Sequence, residues 1–203
     1  MKQEQDYIRD IAEIRSMMER SSKFLSLAGW AGILAGIFAL AGAYLIYAVF
    51  DFNPDRILYT EEKGTLIQVL FTGFVVLLLA VATAIYFSAR KAAKLGEKIW
   101  NSTSRRLVDE MAVPLVTGGL LILLLIWHGL LGLIAPLTLL FYGLSLYNAG
   151  RFTYTEIKVF GILQIILGLI NVYFIEYGLL IWAIGFGLLH IIYGIYIHLK
   201  YER

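Results

Sequence analysis

The 203-residue chain contains no cysteine. That excludes disulfides, thiolate metal sites and a cysteine nucleophile. Charge is also scarce. Only 16% of residues are Asp, Glu, Lys or Arg, against about 25% in a typical soluble domain. The net charge of +2 is too small to point to nucleic acid as a partner. The three histidines are scattered, with no HExxH or similar ligand spacing, so neither a metal nor another cofactor is expected. GxSxG, Walker A and GxGxxG contexts are missing as well. No Asp, Glu, Lys or Arg falls in the middle of an apolar run. That argues against a proton-coupled pump and against hydrolysis by a paired carboxylate site. The expectation is a protein that is not an enzyme.

What the chain does have is apolar residues, 60% of the total, gathered in runs. Six segments read as membrane spans, at about residues 24–50, 66–88, 112–128, 130–147, 159–175 and 178–199. A helix needs about 20 residues to cross the hydrocarbon core. The predicted fold class is therefore all-α: a polytopic membrane protein of six transmembrane helices in three hairpins. The third and fourth segments read together as "LVTGGLLILLLIWHGLLGLIAPLTLLFYGLSLY". A turn at His128-Gly129 divides them, with glycine allowing a tight reversal. Pro136 then falls near the start of the fourth helix, where it costs little. The alternative is one long kinked helix.

Charge distribution favours six spans. Residues 1–23 carry five Lys or Arg, residues 89–111 carry six, residues 148–158 carry two, and the C-terminus carries Lys200 and Arg203. With six spans, all fifteen share one side, and only Arg56 and Lys63 lie on the other. Basic residues are retained on the cytoplasmic side, so both termini are expected there, in a bacterial inner membrane. Trp127, Tyr173, Tyr177 and Trp182 cluster near the outer ends of the spans, and Trp30, Tyr86, Tyr147, Tyr196 and Tyr201 near the inner ends. Such rings suit the headgroup level.

Residues 1–23 form a separate unit. Glu4, Asp6, Asp10, Glu13 and Glu19 make it unlike a signal peptide. Tyr7, Ile11, Ile14 and Met18, continued by Ser21 and Leu25, recur at steps of four and three. That spacing predicts an amphipathic helix. Two roles stay open: lying on the inner leaflet, or docking on a cytoplasmic partner or a second copy. Lipid begins near Phe24. Beyond it Gly32, Gly36, Ala39 and Ala43 form a stripe of small residues that lets another helix approach closely. That neighbour is either in the same chain or in a dimer.

Residues 89–111 form a basic cytoplasmic loop whose expected partner is anionic lipid headgroups. Its first part is expected to extend the second helix into the cytoplasm, with Ala92, Leu95 and Ile99 on one side; its "NSTS" stretch reads as a helix break, and Pro114 as part of the first turn of the third span. "GLSLYNAG" at 143–150 and "GLLHIIYG" at 187–194 share a spacing that hints at related hairpins.

Polar residues inside spans cost free energy and mark places to look for function. With the last turn placed at Tyr177, Gln164 and His190 lie at similar depth and are expected to hydrogen-bond. That bond either locks the hairpin or holds a proton- or ligand-responsive histidine. Gln68, Thr72 and Asn171 form a second candidate set, a polar path for a small solute.

The stretch "YIRDIAEIRSMMERSSKF" followed by "GILAGIFALAGAY" resembles a family of small bacterial six-helix membrane proteins with a charged N-terminal helix. That resemblance implies a regulatory or stress context and fixes no activity. The paired glycine-rich hairpins look distantly like HdeD-type acid-resistance membrane proteins, from which the charged N-terminus and basic central loop depart. The expected function is a non-enzymatic regulatory, stress-related or scaffold role through the N-terminal helix. The alternative is a small-solute transporter or channel near Gln164 and His190.

Overall fold

The computed structural model describes residues 28–55, 57, 63–96 and 98–203. The expected helix 1–23, with its stripe of Tyr7, Ile11, Ile14 and Met18, lies outside the described residues. Within them the chain is all-helical, and no strand is present among the described residues. Among the described residues, six helices are long and apolar enough to cross a membrane: α1 Gly29–Val49, α2 Lys63–Lys94, α3 Ser102–Trp127, α4 Leu131–Ala149, α5 Thr155–Tyr173 and α6 Ile175–Tyr201. The chain reads as a multi-pass membrane protein.

Local chemistry sets the helix boundaries. The Asn101 side chain accepts from the N–H groups of Thr103 and Ser104, and the Ser104 hydroxyl accepts from the Asn101 N–H. This reciprocal cap starts α3 at Ser102. The expected position of Pro114 is therefore corrected: it lies inside α3, not in its first turn. Its missing N–H leaves the carbonyl of Glu110 without a helical donor, at an exposed position where water can serve. The second span continues past its apolar run to Lys94, and residues 95–101 connect it to α3. The third and fourth segments are separate helices. Gly129 takes φ +72° in the turn between them, and the Ser145 hydroxyl on α4 donates to the Met111 carbonyl on α3 across the hairpin.

Helices that lie side by side in lipid gain nothing from apolarity alone, so shape decides who pairs with whom. Glycines spaced seven apart supply that shape: Gly29 and Gly36 on α1, Gly143 on α4 with Gly150 just past its end, Gly161 and Gly168 on α5, Gly187 and Gly194 on α6. Seven residues are close to two turns, so each pair stays on one face and favours a shallow left-handed crossing. A Cβ added to Gly36 would lie 2.6 Å from the Gly187 carbonyl oxygen, and one on Gly194 would lie 2.6 Å from that of Gly29. A Cβ on Gly143 would lie 2.7 Å from the Gly161 oxygen, and the reverse distance is the same. Antiparallel α1–α6 and α4–α5 are thus in backbone contact. Gly32, 3.1 Å by the same measure from Gly194 Cα, joins the α1–α6 seam, and Ala39 and Ala43 are buried. The small-residue stripe of α1 is used inside the chain.

Helix α1 packs against α2 and α6, α4 packs against α3 and α5, and α6 meets both α4 and α5. The most apolar stretch of α4 is 39% buried and that of α2 is 0% buried, so α4 is central and α2 peripheral. Both ends of the described chain meet at one end of the bundle, where Gly29 touches Glu202.

Candidate functional site

The buried polar side chains gather between α4, α5 and α6. Gln164 and Asn171 stand seven residues apart on one face of α5 and are fully buried. Gly178 and Gly185 stand seven apart on α6, running the other way. The two spacings match. Gln164 Nε2 donates to the Gly185 carbonyl at 2.8 Å, and Asn171 Nδ2 donates to the Gly178 carbonyl at 3.0 Å. Glycine is needed at Gly185 because a Cβ there would lie 2.8 Å from Gln164 Oε1. Two side-chain amides thereby stitch α5 to α6 like rungs.

The expected Gln164–His190 bond is corrected by this register. The hairpin turns at Phe174, where α5 ends and Ile175 begins the next helix, a few residues before Tyr177. Gly185, not His190, therefore faces Gln164. His190 reaches the same carbonyl from its own helix: its Nδ1 lies 3.0 Å from Gly185 O. Residues Ala183–Leu188 form a π-helical stretch in which the Leu189 N–H reaches the Ile184 carbonyl, five residues back. Such wide turns disturb the usual pairing and recur at functional sites. The two donors, Gln164 and His190, converge on one acceptor.

A carbonyl only accepts, so the neutral His190 ring carries its proton on Nδ1. Nε2 is then an acceptor, and the Tyr142 hydroxyl of α4 lies 2.9 Å from it. The result is a chain Tyr142–His190–Gly185–Gln164 that links three helices. Phe160 meets the imidazole edge-on at 4.8 Å, while Tyr142 and Phe186 stack on it at 5.4 and 5.7 Å. Among the described residues, the buried side-chain atoms Gln164 Oε1 and Asn171 Oδ1 are without a hydrogen-bond partner.

The expected polar path does not assemble. Gln68 is exposed on α2, and the Thr72 hydroxyl donates to the Gln68 carbonyl of its own helix. Asn171 is buried between α5 and α6. Tyr142 and Gly185 were not singled out by sequence reasoning. The signal for Gly185 was available in the equal seven-residue spacings of the two amides and the two glycines. Tyr142 had no local signal, because its partner is 48 residues away. Among the described residues, no group of three His, Cys, Asp or Glu could hold a metal ion.

Comparison with protein-family models, curated proteins and solved structures finds no match.

Proposed function

We propose that this chain is a non-enzymatic scaffold or regulatory protein of the bacterial cytoplasmic membrane. Both termini face the cytoplasm, and the amphipathic helix 1–23 engages a cytoplasmic protein or a second copy. One observation carries the reading. Gln164 and Asn171 donate across to glycine carbonyls of α6, and His190 bonds Gly185 within α6 and Tyr142 on α4, which makes the cluster cement between helices and not a reaction centre. Orientation rests on the fifteen-to-two division of Lys and Arg. Lys94, Lys98, Arg105 and Arg106 are exposed around the α2–α3 connection, where anionic headgroups would meet them.

The absence of native cysteine makes the test clean. A photo-crosslinker on a cysteine placed at Ile11 or Ile14 should yield an adduct with a second copy or a cytoplasmic protein. Deleting residues 1–20 should abolish the associated phenotype while insertion survives. Adducts with lipid alone would overturn the docking role.

A second reading, passage of a small solute, is favoured by the spare acceptors Gln164 Oε1 and Asn171 Oδ1. It requires flux in reconstituted vesicles that Gln164→Leu abolishes.

A further inference from the structure

Outside the Gln164 cluster, polar side chains concentrate where the two ends of the described chain meet. Glu202 follows directly on α6. Its Oε1 accepts from the Gly29 backbone N–H at 2.9 Å and from Lys91 Nζ at 3.1 Å. Its Oε2 accepts from His198 Nδ1 at 2.7 Å. Lys91 also reaches the Tyr154 hydroxyl at 3.3 Å. Through Lys91, one carboxylate ties the first residue of α1, the last turn of α2, the end of α6 and the α4–α5 connection.

The Gly29 N–H is one of the first-turn donors that no helix can satisfy internally. Ala28, at the cap position, supplies no side-chain acceptor. Glu202 supplies one from 173 residues away, and its negative charge suits the positive end of the helix dipole.

We infer that Glu202 is a proton-releasable latch: ionised, it clamps the root of the N-terminal segment to α2 and α6, and protonated, it lets the first turn of α1 part from them. The latch itself stands on this geometry. Its regulatory consequence rests on the docking role proposed above for helix 1–23.

The charges around Glu202 set the direction. Burial pushes its carboxyl up, but the bonds from His198, the Gly29 N–H and Lys91 outweigh burial and hold it below the ordinary carboxylate value. A folded value below the unfolded one means the clamp is complete at neutral pH and is lost as pH falls through the depressed value. The facing groups are Lys91 from α2, Tyr154 from the α4–α5 connection, Glu156 from α5, and His198, Lys200 and Tyr201 from α6. Tyr154 is pushed up to about 12 by burial, then by Tyr201, Glu202 and Glu156, so it stays neutral throughout. Glu156 is held by Lys200 and Tyr201.

Hydrogen exchange read by mass spectrometry on the full chain in nanodiscs tests this. At neutral pH, Glu202→Ala should speed exchange across residues 29–31 roughly tenfold, as loss of a charged cap implies, and leave α5 unchanged. Wild-type protection there, corrected for intrinsic chemistry, should fall on acidification, whereas Glu202→Gln should show no such fall. Unchanged exchange in Glu202→Ala, or equal pH dependence in wild type and Glu202→Gln, overturns the latch. If Glu202→Ala also loses α5 protection, Lys91→Met carries the test, with roughly threefold faster exchange expected from one lost bond and no change overturning the inference. None of these measurements contains a partner, so the latch and the docking role can fail separately.

Discussion

The polar networks around Gly185 and Glu202 both join helices, and they use opposite chemistry. The one around Gly185 is built from neutral groups: two carboxamides, an imidazole and a phenol, all aimed at backbone carbonyls or at each other. The one around Glu202 is built from charges, Lys91 and a carboxylate, with His198 and a helix N-terminus beside them. Position explains the contrast. In the apolar interior an ion costs far more than a dipole, so neutral donors serve there. At the edge of the bundle water softens that cost, and ionic groups can hold helices together while still responding to pH.

This contrast can be attacked at several points. The largest effect should come from the glycine seams that bring both networks into range. Gly161→Leu forces a side chain against the Gly143 carbonyl, which a Cβ alone would approach to 2.7 Å. It should cost about 3 kcal/mol or more, read as a collapse of thermal stability in detergent. Retained stability would mean that α4 and α5 are not in backbone contact. Next comes Gln164→Leu, which removes one rung but leaves His190 on the Gly185 carbonyl. About 1 kcal/mol should be lost, with no change in its pH dependence. A pH-dependent loss would show that the interior network titrates after all.

The Glu202 network should behave in the opposite way. Stability of the wild type should fall on acidification through the depressed carboxylate value, and Glu202→Gln should flatten that limb of the profile. Identical acid limbs would remove the contrast. The smallest effect is expected at the exposed Lys200–Glu156 pair. Lys200→Met should leave the melting temperature unchanged within error, because exposed ion pairs contribute little.

Much of this architecture was legible in the linear pattern, and the failures have physical causes. The six apolar runs stand out because each satisfies its own length requirement. The stripe of Gly32 and Gly36 was readable because small residues repeated on one face signal close approach. Pro114 misled because its preference for a first turn was outweighed by the Asn101 cap, which starts α3 earlier. Gln164 and His190 were rightly picked as buried. Their partnership was misjudged because shifting the turn from Tyr177 to Phe174 changes which residues face each other across the hairpin. The Gly29–Glu202 contact had no local signal, since its members stand at opposite ends of the described chain.

By itself the sequence determined that this chain forms apolar helices of membrane-spanning length, and where small and polar residues sit on them. Those properties are local: hydropathy, helical period and turn chemistry act within a few turns. Only the tertiary structure decided that α1 closes on α6, that Gln164 meets Gly185, and that the Glu202 side chain caps α1. Lipid is as apolar as the helices it surrounds, so the choice of neighbour falls to shape and hydrogen-bond geometry, which exist only once the helices are packed.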